Sequence, residues 1–246
     1  MMIAALAAAI AMTPSAARAQ QTGTEAQQTV ESTVRGEWLP EFTEVKVRAA
    51  IEIKFVQVAE TDAPRIVYDT KGETDTKFKA AVDRNGVLTI SEKILRNSRS
   101  RTVVEVYYHS LKSVNISDAY ASFEGTVRGR MMNIEVSGGG KVAAEVDIAD
   151  MEVWLSGKNT RAKLSGTARY VEIEASAGML DASALEAMSV EVTATYGASV
   201  AVRATERLKT SASTSATIAY RGTPTIVKGR AAVLGGTVKS VNESED

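Results

Sequence analysis

Residues 134–176 read IEVSGGGKVAAEVDIADMEVWLSGKNTRAKLSGTARYVEIEAS, and the architecture follows from their rhythm. Three times an apolar–outward–apolar triplet ends in serine: Ile134-Glu135-Val136-Ser137, Val153-Trp154-Leu155-Ser156 and Ile173-Glu174-Ala175-Ser176. The same signature extends upstream as Val114-Asn115-Ile116-Ser117. Downstream it continues as Val192-Thr193-Ala194-Thr195 and Thr210-Ser211-Ala212-Ser213. The last residues of the six segments lie 20, 19, 20, 19 and 18 positions apart. Self-similarity at a nearly fixed period of this length marks a solenoid, in which no single repeat can bury its own apolar face. A second apolar run follows each small residue, as in Val142/Ala144/Val146, Ala162/Leu164, Leu180/Ala182 and Val200/Val202. Each repeat therefore carries at least two strands and turns a corner between them. Strands stacked at about 4.8 Å pair every coil with its predecessor and successor. The pairing must be parallel, because equivalent strands run the same way in every coil. The expected fold is all-β: a right-handed parallel β-helix, or solenoid.

Working upstream, alternation with period two persists but the repeat fades. Val45, Val47, Ala49, Ile51 and Ile53 make one apolar face, and strand signals recur over 65–68, 78–82, 87–90 and 102–108. Asn85-Gly86 marks a tight hairpin turn. The spacing predicts a less regular N-terminal strand region over 35–110, then regular coils and closing strands over 111–238. Residues 179–188 have the pattern of a short helical turn.

The ends read differently. Residues 1–19 (MMIAALAAAIAMTPSAARA) combine a short apolar run, the helix-breaking Pro14 and the small-x-small pattern Ala17-Arg18-Ala19. That is a signal peptide cleaved after Ala19, and the run is too short for a transmembrane anchor. Residues 20–34 are a polar leader and residues 239–246 an acidic tail. The expected product is exported, to the periplasm, the cell surface or the medium.

Composition removes most chemistries. Lys and Arg number 29 against 30 Asp and Glu, a net charge of −1, so no global basic field exists to hold nucleic acid. Cysteine is absent, which excludes disulfides, zinc–thiolate sites and thiol nucleophiles; the single histidine, His109, argues against a catalytic triad or a multi-histidine metal centre.

The chain resembles the auto-transporter adhesin family named for its head GIN domain, exported by Bacteroidetes and related bacteria. The resemblance rests on the opening strand Phe42-Thr43-Glu44-Val45-Lys46-Val47 and the hairpin Asn85-Gly86-Val87-Leu88-Thr89-Ile90. It continues through the Ser/Gly-punctuated repeats to the closing Ile218-Ala219-Tyr220-Arg221-Gly222-Thr223-Pro224. It covers about residues 35–238. Several corners carry Ser176-Ala177 or Thr195-Tyr196 where the family has Ser-Gly. The resemblance implies an adhesin-like, non-catalytic module.

Stacked repeats turn sequence columns into ladders, and two ladders carry chemistry. Asn115, Glu135, Trp154 and Glu174 share one outward column, a Trp between carboxylates and an amide that could stack on a sugar ring while its neighbours bond the hydroxyls. A Trp covering a corner would look the same in sequence. Glu152, Glu172 and Glu191 form a second column, roughly 5 Å apart on adjacent strands. Ca²⁺ could bridge them, or a solvated, salt-screened face could carry them without any cofactor. The basic segment 93–101, with Lys93, Arg96, Arg99 and Arg101, fits either an anionic partner or a charged hairpin tip that blocks edge pairing. The partner expected from these readings is a glycan or cell-envelope polymer. A polysaccharide-active enzyme using the acidic ladder, and a self-assembling homo-oligomeric scaffold, are the alternatives.

Overall fold

The computed structural model describes residues 34–71, 76–94 and 101–241. The expected signal segment, the leader up to residue 33, Arg96, Arg99 and residues 242–246 lie outside the described residues. The N-terminal region supplies β1 (Val34–Trp38), β2 (Glu44–Arg48), β3 (Glu52–Gln57), β4 (Arg65–Asp69), β5 (Thr76–Val82), β6 (Val87–Ile94) and β7 (Val103–Tyr108). The short β8 (Ser113–Ser117) opens the regular part. Five long strands follow: β9 (Tyr120–Ser137), β10 (Lys141–Ser156), β11 (Arg161–Ser176), β12 (Met179–Thr195) and β13 (Ser199–Ser213). β14 (Thr217–Arg221), β15 (Ile226–Val233) and β16 (Thr237–Ser240) close the fold.

From β8 onward every pairing is parallel. Val153 stands beside Ile173, and Ile173 beside Val192, so residues one repeat apart are lateral neighbours. The chain is an all-β solenoid of about six turns. Residues 179–188 are strand, not helix: they lie within β12, paired on both sides, and ladder bonding overrides their weak helical pattern. The termini of the domain also extend further than expected. Val34 already begins β1, and Lys239 and Ser240 complete β16.

The long strands are bent, and their burial pattern shows where. In β12 the buried residues are Leu180 and Ala182, then Leu185 and Ala187, then Val190, Val192 and Ala194. A straight strand cannot place residues 182 and 185 on one face, so the phase must reset twice. Each such coil thus has three runs. The pairing register shifts between Ala182 and Glu186 and between Ala187 and Ser189, where the phase resets. At one of these bends in β11, Gly166 has φ 103°, and a Cβ there would drive into the Val146 carbonyl of the neighbouring coil. Glycine is required at that position.

The third bend lies between coils. Gly157, Ala177 and Tyr196 take left-handed φ values of 105°, 64° and 52° at equivalent corners. Gly157 N–H donates to the Ser176 carbonyl and Ala177 N–H to the Thr195 carbonyl, each at 3.1 Å. Ser176-Ala177 and Thr195-Tyr196 therefore adopt the corner that glycine adopts elsewhere, the first held by the Ala177 amide and the second by the Gly197 N–H, which donates to the Thr214 carbonyl at 2.9 Å. Thr160, fully buried, locks one corner by donating its hydroxyl to the Ser156 carbonyl at 2.7 Å.

Coil order departs from chain order at the N-terminal end. β2 lies between β6 and β8, and β3 lies between β7 and β9. The first coil in sequence is thus the second in space. Antiparallel pairs cover the end: β4 on β7, β1 on β4 and β5 on β6. Stacking of Tyr68 on Phe78, 4.3 Å between ring centroids, ties β4 to β5. One continuous core runs from Phe42 to Ile218. Among the described residues, no helix is long and apolar enough to cross a membrane.

Candidate functional site

In the last run of each coil, inward and outward residues alternate. Val153 and Leu155 are buried, which turns Glu152, Trp154 and Ser156 to the exterior. Parallel register then stacks Asn115, Glu135, Trp154, Glu174, Thr193 and Ser211 in one row. A second row holds Ser113, Asn133, Glu152, Glu172, Glu191 and Lys209.

Trp154 keeps 36% of its surface exposed and stands between Glu135 and Glu174. These three side chains, with Ser156, Ser176, Thr193 and Thr195, line a shallow groove of about 450 Å³. It offers an indole ring, two carboxylate acceptors and several hydroxyls. Asn115 is displaced from this groove: its Nδ2 donates to Glu135 Oε2 at 2.5 Å, and the pair opens onto a separate groove with Arg48 and Asp118. Glu135 borders both. The corner hydroxyls Ser156, Ser176 and Thr195 were missed as site residues. Their sequence signal, the small residue closing each triplet, marks a bend and says nothing of what lies beside it.

Glu152, Glu172 and Glu191 do stack in adjacent rungs. Among the described residues, no group of three carboxylates or histidines is arranged to hold a metal ion. One end of the row is instead met by a cation of the next coil, where Lys209 Nζ pairs with Glu191 Oε1. His109 sits at the end of β7 and binds only structural partners. Its ring nitrogens donate to Glu41 Oε2 at 3.1 Å and to the Asp62 carbonyl at 2.5 Å. Both partners are acceptors, so the geometry favours the doubly protonated ring, and the His109 pKa is raised, first by the Asp62 carbonyl and then by Glu41 and Glu60.

Residues 41–224 match the family model described as "Putative auto-transporter adhesin, head GIN domain". The chain belongs to the head GIN domain family. Solved structures resemble this head GIN domain at low identity. A protein described as a putative adhesin from Bacteroides fragilis is 19% identical, with TM-score 0.72 over 85% of this chain and 94% of that one. One of the same description from Parabacteroides merdae is 19% identical, with TM-score 0.65 over 85% and 95%. A putative lipid binding protein from Parabacteroides distasonis is 17% identical, with TM-score 0.61 over 85% and 96%. At these identities the likeness shows the fold. Among curated proteins nothing matches the chain.

Proposed function

We propose that this head GIN domain is an exported, non-catalytic binding module that recognises a glycan or another cell-envelope polymer on the face centred on Trp154. One observation carries the reading: a half-open indole held between two carboxylates in a hydroxyl-lined groove. An aromatic face covers the apolar side of a sugar ring while flanking acceptors bond its hydroxyls. Membership of an adhesin-described family supports a binding role and an exported location.

The test is a glycan array followed by calorimetry on the best ligand. Trp154→Ala should weaken binding by about tenfold or more, with the melting temperature little changed. Unchanged affinity in Trp154→Ala would remove the site. Release of reducing ends that disappears in Glu172→Gln would replace the module by an enzyme.

A further inference from the structure

The first run of each coil forms a different face. Its outward row reads Glu52, Tyr120, Lys141, Arg161 and Met179, with buried Ala121, Val142 and Ala162 between. Lys141 Nζ donates to the Tyr120 hydroxyl at 2.6 Å and lies 4.4 Å from the ring centroid. The Arg101 guanidinium lies 4.3 Å from that centroid as well. Two cations thus share one aromatic ring, although each repels the other.

Neighbouring carboxylates do not neutralise them. Among the described residues, no ion pair engages Arg101, Lys141 or Arg161. Glu105 and Glu124 are committed to Lys54 at 3.0 and 2.8 Å, and Asp181 accepts from the Ser183 hydroxyl and amide. Glu52, beside Tyr120, is the one carboxylate that adjoins the cluster in its row. Because the Tyr120 oxygen accepts from Lys141, its own O–H remains to donate outward. The Lys141 bond, followed by the charges of Lys141 and Arg101, holds this phenol below the ordinary tyrosine value.

We propose that this face binds a linear polyanionic glycan, one bearing carboxylate or sulfate groups, through Arg101, Lys141, Arg161 and the Tyr120 hydroxyl. Tyr120 and Lys141 line an open cleft of about 510 Å³ that passes over the small side chains of Ser122 and Ala143, with Lys54, Glu52 and Glu105 also on its walls and Arg101 and Arg161 outside that lining. Lys141 and Arg161 occupy successive coils, about 4.8 Å apart along the axis. Cations repeated at that interval suit an extended chain with recurrent anionic groups better than one compact anion. The site does not depend on the Trp154 reading, since it uses other residues on another run.

Calorimetry with polygalacturonate, dextran sulfate and neutral dextran tests it on the whole protein. Both acidic polymers should bind, neutral dextran should not, and raised NaCl should weaken binding steeply. Lys141→Ala and Arg161→Ala should each cost about tenfold, and Tyr120→Phe a smaller factor. Trp154→Ala should leave polyanion binding unchanged, which separates failure here from failure of the first site. Lys141→Glu supplies a charge reversal whose fold is checked by circular dichroism. Equal binding of neutral dextran, or undiminished binding in Lys141→Glu, would overturn the proposal. Preference for phosphatidylglycerol vesicles over both acidic polymers would overturn it in favour of a lipid surface.

Discussion

Thr210 occupies an inward position that aliphatic residues fill in the coils before it, next to Val192. It is 3% exposed, and its hydroxyl has no hydrogen-bond partner. A buried hydroxyl without a partner pays its full desolvation cost. Thr210→Val keeps the branched shape and should raise unfolding stability by about 1 kcal/mol, read from the urea midpoint. A loss instead would show that the hydroxyl is satisfied in solution. At this scale the sequence was partly legible. Thr210 was recognisable as a member of the inward column, because alternation places it there. That its hydroxyl is stranded depends on Gly229 of the adjoining strand, whose missing side chain leaves that oxygen facing backbone.

Individual strands were easier to read than the joints between them. The hairpin of β5 and β6 forms where Asn85-Gly86 places it, with Asp83 Oδ1 accepting from the Asn85 amide at 2.8 Å and the Val87 amide at 3.1 Å. His109 joins elements that no local pattern connects. It clasps Glu41, between β1 and β2, to Asp62, between β3 and β4. Glu60 adds its charge from the same loop as Asp62. The clasp has a definite pH dependence. A raised folded-state pKa means that its stabilisation is complete below the unfolded histidine value of about 6.5 and is lost as pH rises through the higher folded value. Amide exchange of residues 58–64 should therefore accelerate as the pH rises above about 6.5, beyond the intrinsic base-catalysed rate. His109→Gln should abolish that excess; its persistence in the variant would assign the effect to another group.

Across the solenoid, stability depends on how many coils flank a residue. Ile173 is 1% exposed between Val153 and Val192, so Ile173→Ala should cost about 3–4 kcal/mol in urea unfolding. Val227 lies in the outermost described coil at 51% exposure, with Ile226, Val233 and Leu234 also open, because among the described residues no further coil covers them. Val227→Ala should change stability by less than about 0.5 kcal/mol. Similar losses at both positions would contradict the stacked, end-weakened core.

The repeat by itself determined that the chain is all-β, that the strands of its regular coils pair in parallel and which side chains share a row. Those properties follow from alternation along one strand and from contact between successive coils, both of which are written locally. The intercalation of β2 and β3 between later strands was a tertiary decision, since β2 meets β6 and β8 across long stretches of chain. So was the bringing of Arg101 to Tyr120 and Lys141. Those last two are 21 residues apart and stack by the repeat, but Arg101 arrives just ahead of β7, whose place beside β3 no periodicity records.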